Sequence, residues 1–375
     1  MLISEFNYDL PEERIAKYPP NKRGSTRLLV LNRETGALKD SFYKNLDEFL
    51  NPGDVLILND TRVMHARIFC EREDYHPREL VVLENHGDNV QRVMYRGKLH
   101  EGDELHVITS GLKNKLRSFN QLNFAARFHD KISLKTYDKI RIKKLMGDGT
   151  AIVESDRPLT EIAEKYGTVP LPPYLHRAAK EYDKKRYQTV WAKNTGSAAA
   201  PTASLNMTED LLERLKAKGV IIKYLTLHVG LGTFLPIRTD KVEDHKMHSE
   251  WFNIPEDTLE AIKNVQDARK DKTDHDGDNS SAPASRIVAV GTTVARTLEY
   301  YAKTGKTTGE DDIFIYPGFE FQIVDALLTN FHAPKSTVLM LASAFAGWDH
   351  LHAAYDHAVA EKYNFLSYGD SMFIC

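Results

Sequence analysis

Asn51–Arg67 reads NPGDVLILNDTRVMHAR, and the fold turns on what changes along it. Pro52–Asp54 turns the chain into Val55–Asn59 (VLILN), an apolar run closed by one amide. A short run with no polar alternation predicts a strand covered on both faces, as in a sheet layered with helices. The same reading applies upstream, where Leu28–Asn32 (LLVLN) predicts a buried strand and Glu34–Gly36 a turn. Phe42–Leu50 predicts a short amphipathic helix between the two strands. Beyond Arg62 the character differs. RVMHARIFC, ELVVLE, NVQRVMYRG, DELHVIT, LNFAARFH and KIRIKKL are short alternating segments. The last returns through Gly147-Asp148-Gly149 into TAIVES, which predicts a hairpin. Residues 63–155 are therefore read as an all-β insertion, a small antiparallel barrel or sandwich.

After Arg157 strands and helices alternate. Helices are expected over Leu159–Tyr166, Thr208–Lys218, Glu256–Ala268, Val294–Lys303, Lys335–Ala346 and His350–Lys362. Strands are expected over Val220–Val229, Arg286–Val290, Ile313–Tyr316 and Ser371–Ile374. This is an α/β pattern, so residues 1–62 and 156–375 are assigned to one large mixed α/β domain formed by both ends of the chain. Residues 267–285 (DARKDKTDHDGDNSSAPAS) carry no apolar period and read as a flexible surface loop within it. A calcium loop there is excluded, because Lys272 and Pro283 fall on ligand positions.

Composition bounds the function. At 375 residues, 42% hydrophobic and 27% charged, the chain can build two domains with real cores. Two cysteines, Cys70 and Cys375, give neither a disulfide framework nor a zinc site, and point to a reducing compartment. Glu5 and Asp9 interrupt any signal-peptide core, and no apolar run approaches the ~20 residues of a membrane span. A cytoplasmic location is expected. A net charge of −3 neither demands nor excludes nucleic acid. Gly305-Lys306-Thr307 lacks the earlier glycine of a phosphate loop, and Leu235 occupies the third glycine position of a dinucleotide fingerprint begun at Gly230.

Several segments carry candidate chemistry. Thr226–Phe234 (TLHVGLGTF) ends a buried strand with His228 and continues through Gly230, Gly232, Thr233 and Phe234, where an α/β fold places ligands. A tight turn with a core histidine is the plain alternative. Asn330–Ser336 (NFHAPKS) sets Asn330, His332, Lys335 and Ser336 at a helix start suited to an anion, or simply caps the helix. Asp244–Glu250 (DHKMHSE) holds His245 and His248 three apart; with no third ligand in register, proton transfer is favoured over a metal. Gly196–Thr208 (GSAAAPTASLNMT), with Gly196, Ser197, Pro201, Thr202 and Asn206, suits close helix packing or a loop against a planar ligand. Asn59, Asp60 and Arg62 follow a strand directly, placed to bind a zwitterion or to pair with one another.

Together with FNYDLPEERIAKYP, RLLVLNRETG, VPLPPYLHR, RYQTVWA, IVAVGTT, TNFHAPKST and FLSYGDSMFI, these segments closely resemble the S-adenosylmethionine:tRNA ribosyltransferase-isomerases of queuosine biosynthesis, in the family's order from Phe6 to Ile374. The resemblance implies an α/β domain from both chain ends carrying an inserted β-barrel. It also implies that the ribosyl part of S-adenosylmethionine, a consumed co-substrate, passes to 7-aminomethyl-7-deazaguanine at the tRNA wobble position and is isomerised. Epoxyqueuosine-tRNA, adenine and methionine are then the products, and no metal, membrane or obligate protein partner is implied. On this resemblance His228, His245, His248 and Asp60 are the candidate catalytic groups. Thr292, Thr293, Tyr368 and Asp370 join the substrate-binding set, Asp60 or Asp370 facing the sulfonium or amino group and Arg62 or Lys335 the carboxylate or a phosphate. Lys143, Lys144, Lys184, Lys185 and Arg186, in two basic stretches, are candidate tRNA contacts, solvated faces being the alternative. The chain departs from the family where Gly-Leu-His-Phe-Thr becomes Ser204-Leu205-Asn206-Met207-Thr208, and His65 replaces a proline. Two other readings stay open: ribosyl transfer to a different acceptor, and a non-catalytic tRNA-binding homologue.

Overall fold

The structure, a computed structural model, describes residues 1–72, 77–83, 89–108, 138–230, 237, 239–274 and 284–375. The chain divides into two compact units: Met1–Arg62 with Gln188–Asn194 and Ala200–Cys375, and Val63–Tyr187 with Thr195–Ala199. Residues 156–187, assigned from sequence to the large domain, thus cluster with the second unit.

The first unit is built on a nine-stranded sheet. Its strands in chain order are β1 (Arg27–Leu31), β2 (Leu38–Phe42), β3 (Val55–Asn59), β4 (Ile221–Leu227), β5 (Glu250–Asn253), β6 (Ile287–Val290), β7 (Thr308–Asp311), β8 (Ala326–Asn330) and β9 (Ser371–Ile374). Their spatial order is β7-β5-β4-β3-β6-β8-β9-β1-β2. The central run β4-β3-β6-β8 is parallel, and β9 lies antiparallel to β8. Every residue of β3, β6, β8 and β9 is buried, as the apolar runs of β3 and β6 predict. One face packs Leu56, Leu58, Val290, Leu328 and Phe373 against Tyr43, Met207 and Leu211. On the sheet lie helices α1 (Glu209–Ala217), α2 (Glu256–Asp274), α3 (Thr292–Thr304), α4 (Thr337–Ala346) and α5 (Trp348–Ala360). Thr208 caps α1 by accepting the Leu211 N–H, as expected from its position before Glu209 and Asp210.

From β3 the chain goes next to β4 on one side and later to β6 on the other. The C-terminal end of β3 is therefore a topological switch point, where open α/β sheets form their ligand crevice. Asn59 locks that end: its amide Nδ2 donates to Leu227 O (2.9 Å), and its Oδ1 accepts the N–H groups of Thr61 and Leu227.

Four local expectations fail. Ile313–Tyr316 is not a strand; Asp311 ends β7 by accepting the Ile313 N–H on Oδ1 (3.0 Å), and the following residues line a pocket. Phe42–Leu50 is not an α-helix but 3-10 turns over Tyr43–Phe49, interrupted at Asn45. The sequence reading missed β2, β5, β7 and β8 altogether. Helix α2 continues to Asp274, so the start of the supposed loop 267–285 is helical. Ala268, Arg269 and Lys270 are good helix formers, and Arg269 is anchored to Ser285 O and Asp325. Residues 275–283 lie outside the described residues.

The second unit contains a closed antiparallel barrel of Thr150–Ser155, Val90–Arg96, Pro77–Val82, Arg67–Arg72, Glu104–Val107 and Lys139–Leu145, in that order. Alternate residues such as Ile68, Cys70, Leu80, Val93, Leu105, Ile140, Ile142 and Val153 fill its interior. The hairpin through Gly147–Gly149 forms as expected. LNFAARFH lies outside the described residues.

Candidate active site

The parallel strands end on one edge of the first unit, and that edge gathers Asp60, Thr61, His228, Gly291–Thr293, Asn330 and Asp370 from distant parts of the sequence. His228 sits at the switch point. Its Nδ1 meets Thr61 Oγ1 at 2.8 Å, and its ring stacks on Trp251 with centroids 5.0 Å apart. Its backbone N–H donates to Trp251 O, tying the residue to β5. Burial lowers the imidazole pKa, partly offset by the nearby Asp60 carboxylate. The ring is thus neutral near pH 7, and no hydrogen bond is formed by Nε2 among the described residues. Asp60 is oriented in turn by Thr226 Oγ1 (2.6 Å) and the Asn194 amide (3.0 Å).

A second polar centre lies beside it. Glu250 is fully enclosed on β5; its Oε1 accepts the Gly230 N–H (2.7 Å) and meets His248 Nε2 (3.2 Å), while Oε2 lies 2.8 Å from Arg296. Arg296, buried in α3, also reaches Asp311 through Nε (3.1 Å). Burial would raise the Glu250 carboxyl, but Arg296 and His248 hold it below its ordinary value. Burial carries Asp311 upward against the pull of Arg296. His245 packs edge-on against Phe314, and burial together with His248 lowers its pKa. Glu250, Arg296, Thr292 and Thr293 line a small pocket of about 30 Å³ with Met247, Ile313, Phe314, Ile315, Thr337, Val338 and Leu341. Gly291 starts α3 with φ +96°, a backbone that only glycine adopts readily, which lets the helix open directly from β6 at this edge.

The other residues named from sequence divide by what their side chains already do. Asn59 is spent on the ends of β3 and β4. Asp370 is spent too: its oxygens accept the Arg27 and Asn364 N–H groups, both at 2.7 Å. Ser336 caps α4, accepting from Leu339 N and donating to Ala333 O. His332 Nε2 meets Thr329 Oγ1 (2.8 Å), its N–H donates to Tyr355, and its carbonyl accepts from Tyr8; burial pulls the imidazole down to about 3. Lys335 is exposed in the left-handed region at φ 58°. Arg62 is exposed, Tyr368 buried, and Thr202 half-buried in a short turn following buried Pro201. Asn206 is buried and donates to Gly369 O (3.2 Å). Gly232, Thr233 and Phe234 lie outside the described residues. In the second unit Gly196 is buried and Ser197 Oγ donates to Ala199 O. There too Lys143 pairs with Glu154 and Lys184 with Glu181, Lys144 and Lys185 are exposed, and Arg186 is half-buried. The sequence reading missed Trp251, Arg296 and Asp311. One signal for Arg296 was available: it falls in the apolar stripe Val294-Ala295-Leu298 of α3, where a solvated charge would not.

Among the described residues no group of three or more His, Cys, Asp or Glu is placed to hold a metal ion, and no helix is long and apolar enough to cross a membrane. Residues 3–374 match the family model described as queuosine biosynthesis protein. The chain is 48% identical over 383 residues to the S-adenosylmethionine:tRNA ribosyltransferase-isomerase of Pelodictyon phaeoclathratiforme, covering 100% of both chains. It is 44% identical to the protein of that name in a Sulfurihydrogenibium species, again over 100% of both. Among solved structures it resembles the S-adenosylmethionine tRNA ribosyltransferase of Thermotoga maritima, with TM-score 0.52 and 30% identity over 99% of this chain and 100% of the other.

Proposed function

Because this chain belongs to the S-adenosylmethionine:tRNA ribosyltransferase-isomerase family, we propose that it moves the ribosyl group of S-adenosylmethionine onto 7-aminomethyl-7-deazaguanine at the tRNA wobble position. Isomerisation then gives epoxyqueuosine-tRNA, with adenine and methionine released. The sulfonium supplies an acidified ribose C–H and a leaving group. What the protein must add is a base, an acid and a binding edge.

The observation that carries the reading is His228 at the switch point. A base must be unprotonated near neutral pH, and burial keeps this imidazole neutral. Thr61 holds Nδ1 and Trp251 holds the ring plane, which leaves Nε2 to accept a proton from the ribose carbon next to sulfur. Asp60, fixed beside it by Thr226 and Asn194, stabilises the imidazolium that results. His248, in contact with Glu250, is the proposed acid for departing adenine, with His245 adjacent. Lys143, Lys144, Lys184, Lys185 and Arg186 are proposed to contact tRNA phosphates.

Adenine release from S-adenosylmethionine, measured with tRNA carrying the aminomethyl base, tests this. The wild type turns over, and His228→Gln loses about 10²–10⁴-fold in rate while remaining folded, the usual worth of a general base. Undiminished adenine release by that variant would remove His228 from the chemistry.

A further inference from the structure

Strand β5 turns its two faces to different surroundings. Glu250 and Phe252 point inward and are buried, whereas Trp251 between them points out of the opposite face and is 42% exposed. One side of its indole lies against the His228 ring, with centroids 5.0 Å apart and planes 21° from parallel. Among the described residues no other ring or cation packs on Trp251, and its Nε1 has no acceptor. The other two tryptophans are spent on the fold. Trp191 donates to Asn59 O and packs on the core, and Trp348 packs between Phe6 and His352. An indole left open beside the candidate base has apolar area and a flat face still to offer.

Directly across from Trp251, on the neighbouring strand β7, stands Glu310. Residues opposite one another in an antiparallel pair share a face, with Cβ atoms about 4.5–5.5 Å apart. Glu310 is exposed. Ser249 Oγ donates to its Oε2, which steadies the carboxylate, and Oε1 has no partner among the described residues.

A flat aromatic surface with a carboxylate at its margin matches a ring that carries two adjacent N–H donors in its own plane. Guanine-type bases have this edge: N1–H and the 2-amino group donate side by side, and one carboxylate accepts both. Adenine presents a bare ring nitrogen at N1, which a carboxylate repels. The open setting points to a base carried on RNA. A small metabolite needs walls that enclose most of its surface, whereas a base within a tRNA brings its own loop to cover the platform.

Resting on the reading that the chain transfers a ribosyl group to tRNA, we infer that Trp251 and Glu310 form the subsite for the acceptor base. The indole stacks on the 7-deazaguanine ring, and Glu310 accepts its N1–H and 2-amino hydrogens. His228 occupies one side of the indole, so the base takes the other, one ring away from the proposed proton transfer.

Adenine release by the full-length protein tests this, with tRNA carrying the aminomethyl base and S-adenosylmethionine varied in turn and folding checked by circular dichroism. Trp251→Leu should raise KM for the tRNA about tenfold, the usual worth of one base–aromatic stack, and leave KM for S-adenosylmethionine within about twofold. Trp251→Phe keeps a ring and should recover most of the loss. Glu310→Gln should also raise the tRNA KM about tenfold, since a charged acceptor is lost and the amide can turn a donor toward the base. Binding of that tRNA without S-adenosylmethionine should quench tryptophan emission in the wild type, and much less in Trp251→Phe. An unchanged tRNA KM in the folded variants overturns the inference. So does a rise confined to the S-adenosylmethionine KM, which would give the platform to the donor's adenine, or a loss confined to kcat, which would leave Trp251 only to steady His228. If Trp251→Leu fails to fold, Glu310→Gln decides. Absence of adenine release in the wild type would refute the ribosyl-transfer reading, and the quench, which needs no turnover, would still decide the platform. Adenine release with unaltered tRNA KM in the variants would refute the platform alone.

Discussion

Asp370→Ala separates a carboxylate that holds the fold from one that holds a ligand. The residue is 3% exposed, and its two oxygens accept the backbone N–H groups of Arg27 and Asn364 at 2.7 Å each. Alanine leaves both donors enclosed without an acceptor. A hydrogen bond to a charged group contributes about 1.5–3 kcal/mol, so losing two costs roughly 3–6 kcal/mol. Removing a buried carboxylate whose pKa burial has raised recovers part of this, which places the net loss near the lower figure, about 3 kcal/mol. Against a typical total of about 5–15 kcal/mol, that is a large fraction of the stability. Asp370→Asn keeps one acceptor and should lose roughly half as much. The three tryptophans, Trp191, Trp251 and Trp348, all lie in the first unit, so urea denaturation followed by their fluorescence reports on the affected body. S-adenosylmethionine affinity of the folded fraction should stay within about twofold of wild type, as expected for a residue that touches only backbone. An alanine variant of undiminished stability that had lost ligand affinity would refute the reasoning and return Asp370 to the binding set.

Thr61→Val keeps the shape of the side chain but removes the bond to His228 Nδ1; kcat/KM should fall about tenfold, the worth of one hydrogen bond, with KM for S-adenosylmethionine unchanged. An unchanged rate would show that Thr61 does not position the base. His332 is held far below its unfolded value of 6.5, so the unfolded chain takes up the extra proton; its contribution to stability is complete above pH 6.5 and is lost as pH falls toward about 3. Denaturation midpoints of His332→Gln should therefore fall less steeply than wild type across that window, and parallel curves would contradict the assignment. Lys143→Glu combined with Lys144→Glu should weaken tRNA binding and reduce the salt slope by roughly one for each phosphate no longer neutralised, leaving S-adenosylmethionine binding intact; an unaltered slope removes this stretch from the RNA footprint.

Apart from β5 and β8, which went unread, the inner strands were legible because burial on both faces writes itself locally, as four or five apolar residues in a row. The edge strands were not. Leu38–Phe42 (LKDSF) and Thr308–Asp311 (TGED) hold their places through backbone pairing with β1 and β5, and an edge strand carries little apolar pattern of its own. Ile313–Tyr316 misled for the complementary reason: its apolar run is real, but Ile313, Phe314 and Ile315 line a pocket and have no sheet neighbour. Arg296 and Asp311 were illegible as partners of Glu250, since only the folded topology brings α3 and β7 against β5.

The polar residues at the sheet edge divide in a way that sequence motifs cannot reveal. Asn59, Ser336 and Asp370 stand in motifs of the same ordered set as that of His228, yet each spends its side chain on backbone groups and so builds the edge on which His228 works. The small-residue run adds a different case. On the face where Ala203 packs, Ser204 Oγ, Asn330 Oδ1 and Ser371 Oγ are buried with no hydrogen-bond partner among the described residues. Asn330 and Ser371 are cross-strand neighbours, and the Thr202–Ser204 turn packs on the strand that ends at Asn330. Buried polar atoms left without partners are costly, so unspent capacity of this kind is retained where something other than the chain's own backbone completes it. Ser204 stands where the family pattern has glycine, and two positions on Asn206 stands where it has histidine. Two of the departures, Ser204 and Asn206, therefore fall on or beside this unspent face, and none falls on His228 or the Glu250 pocket, which is the distribution expected if this chain keeps its donor chemistry and varies the surroundings of that chemistry.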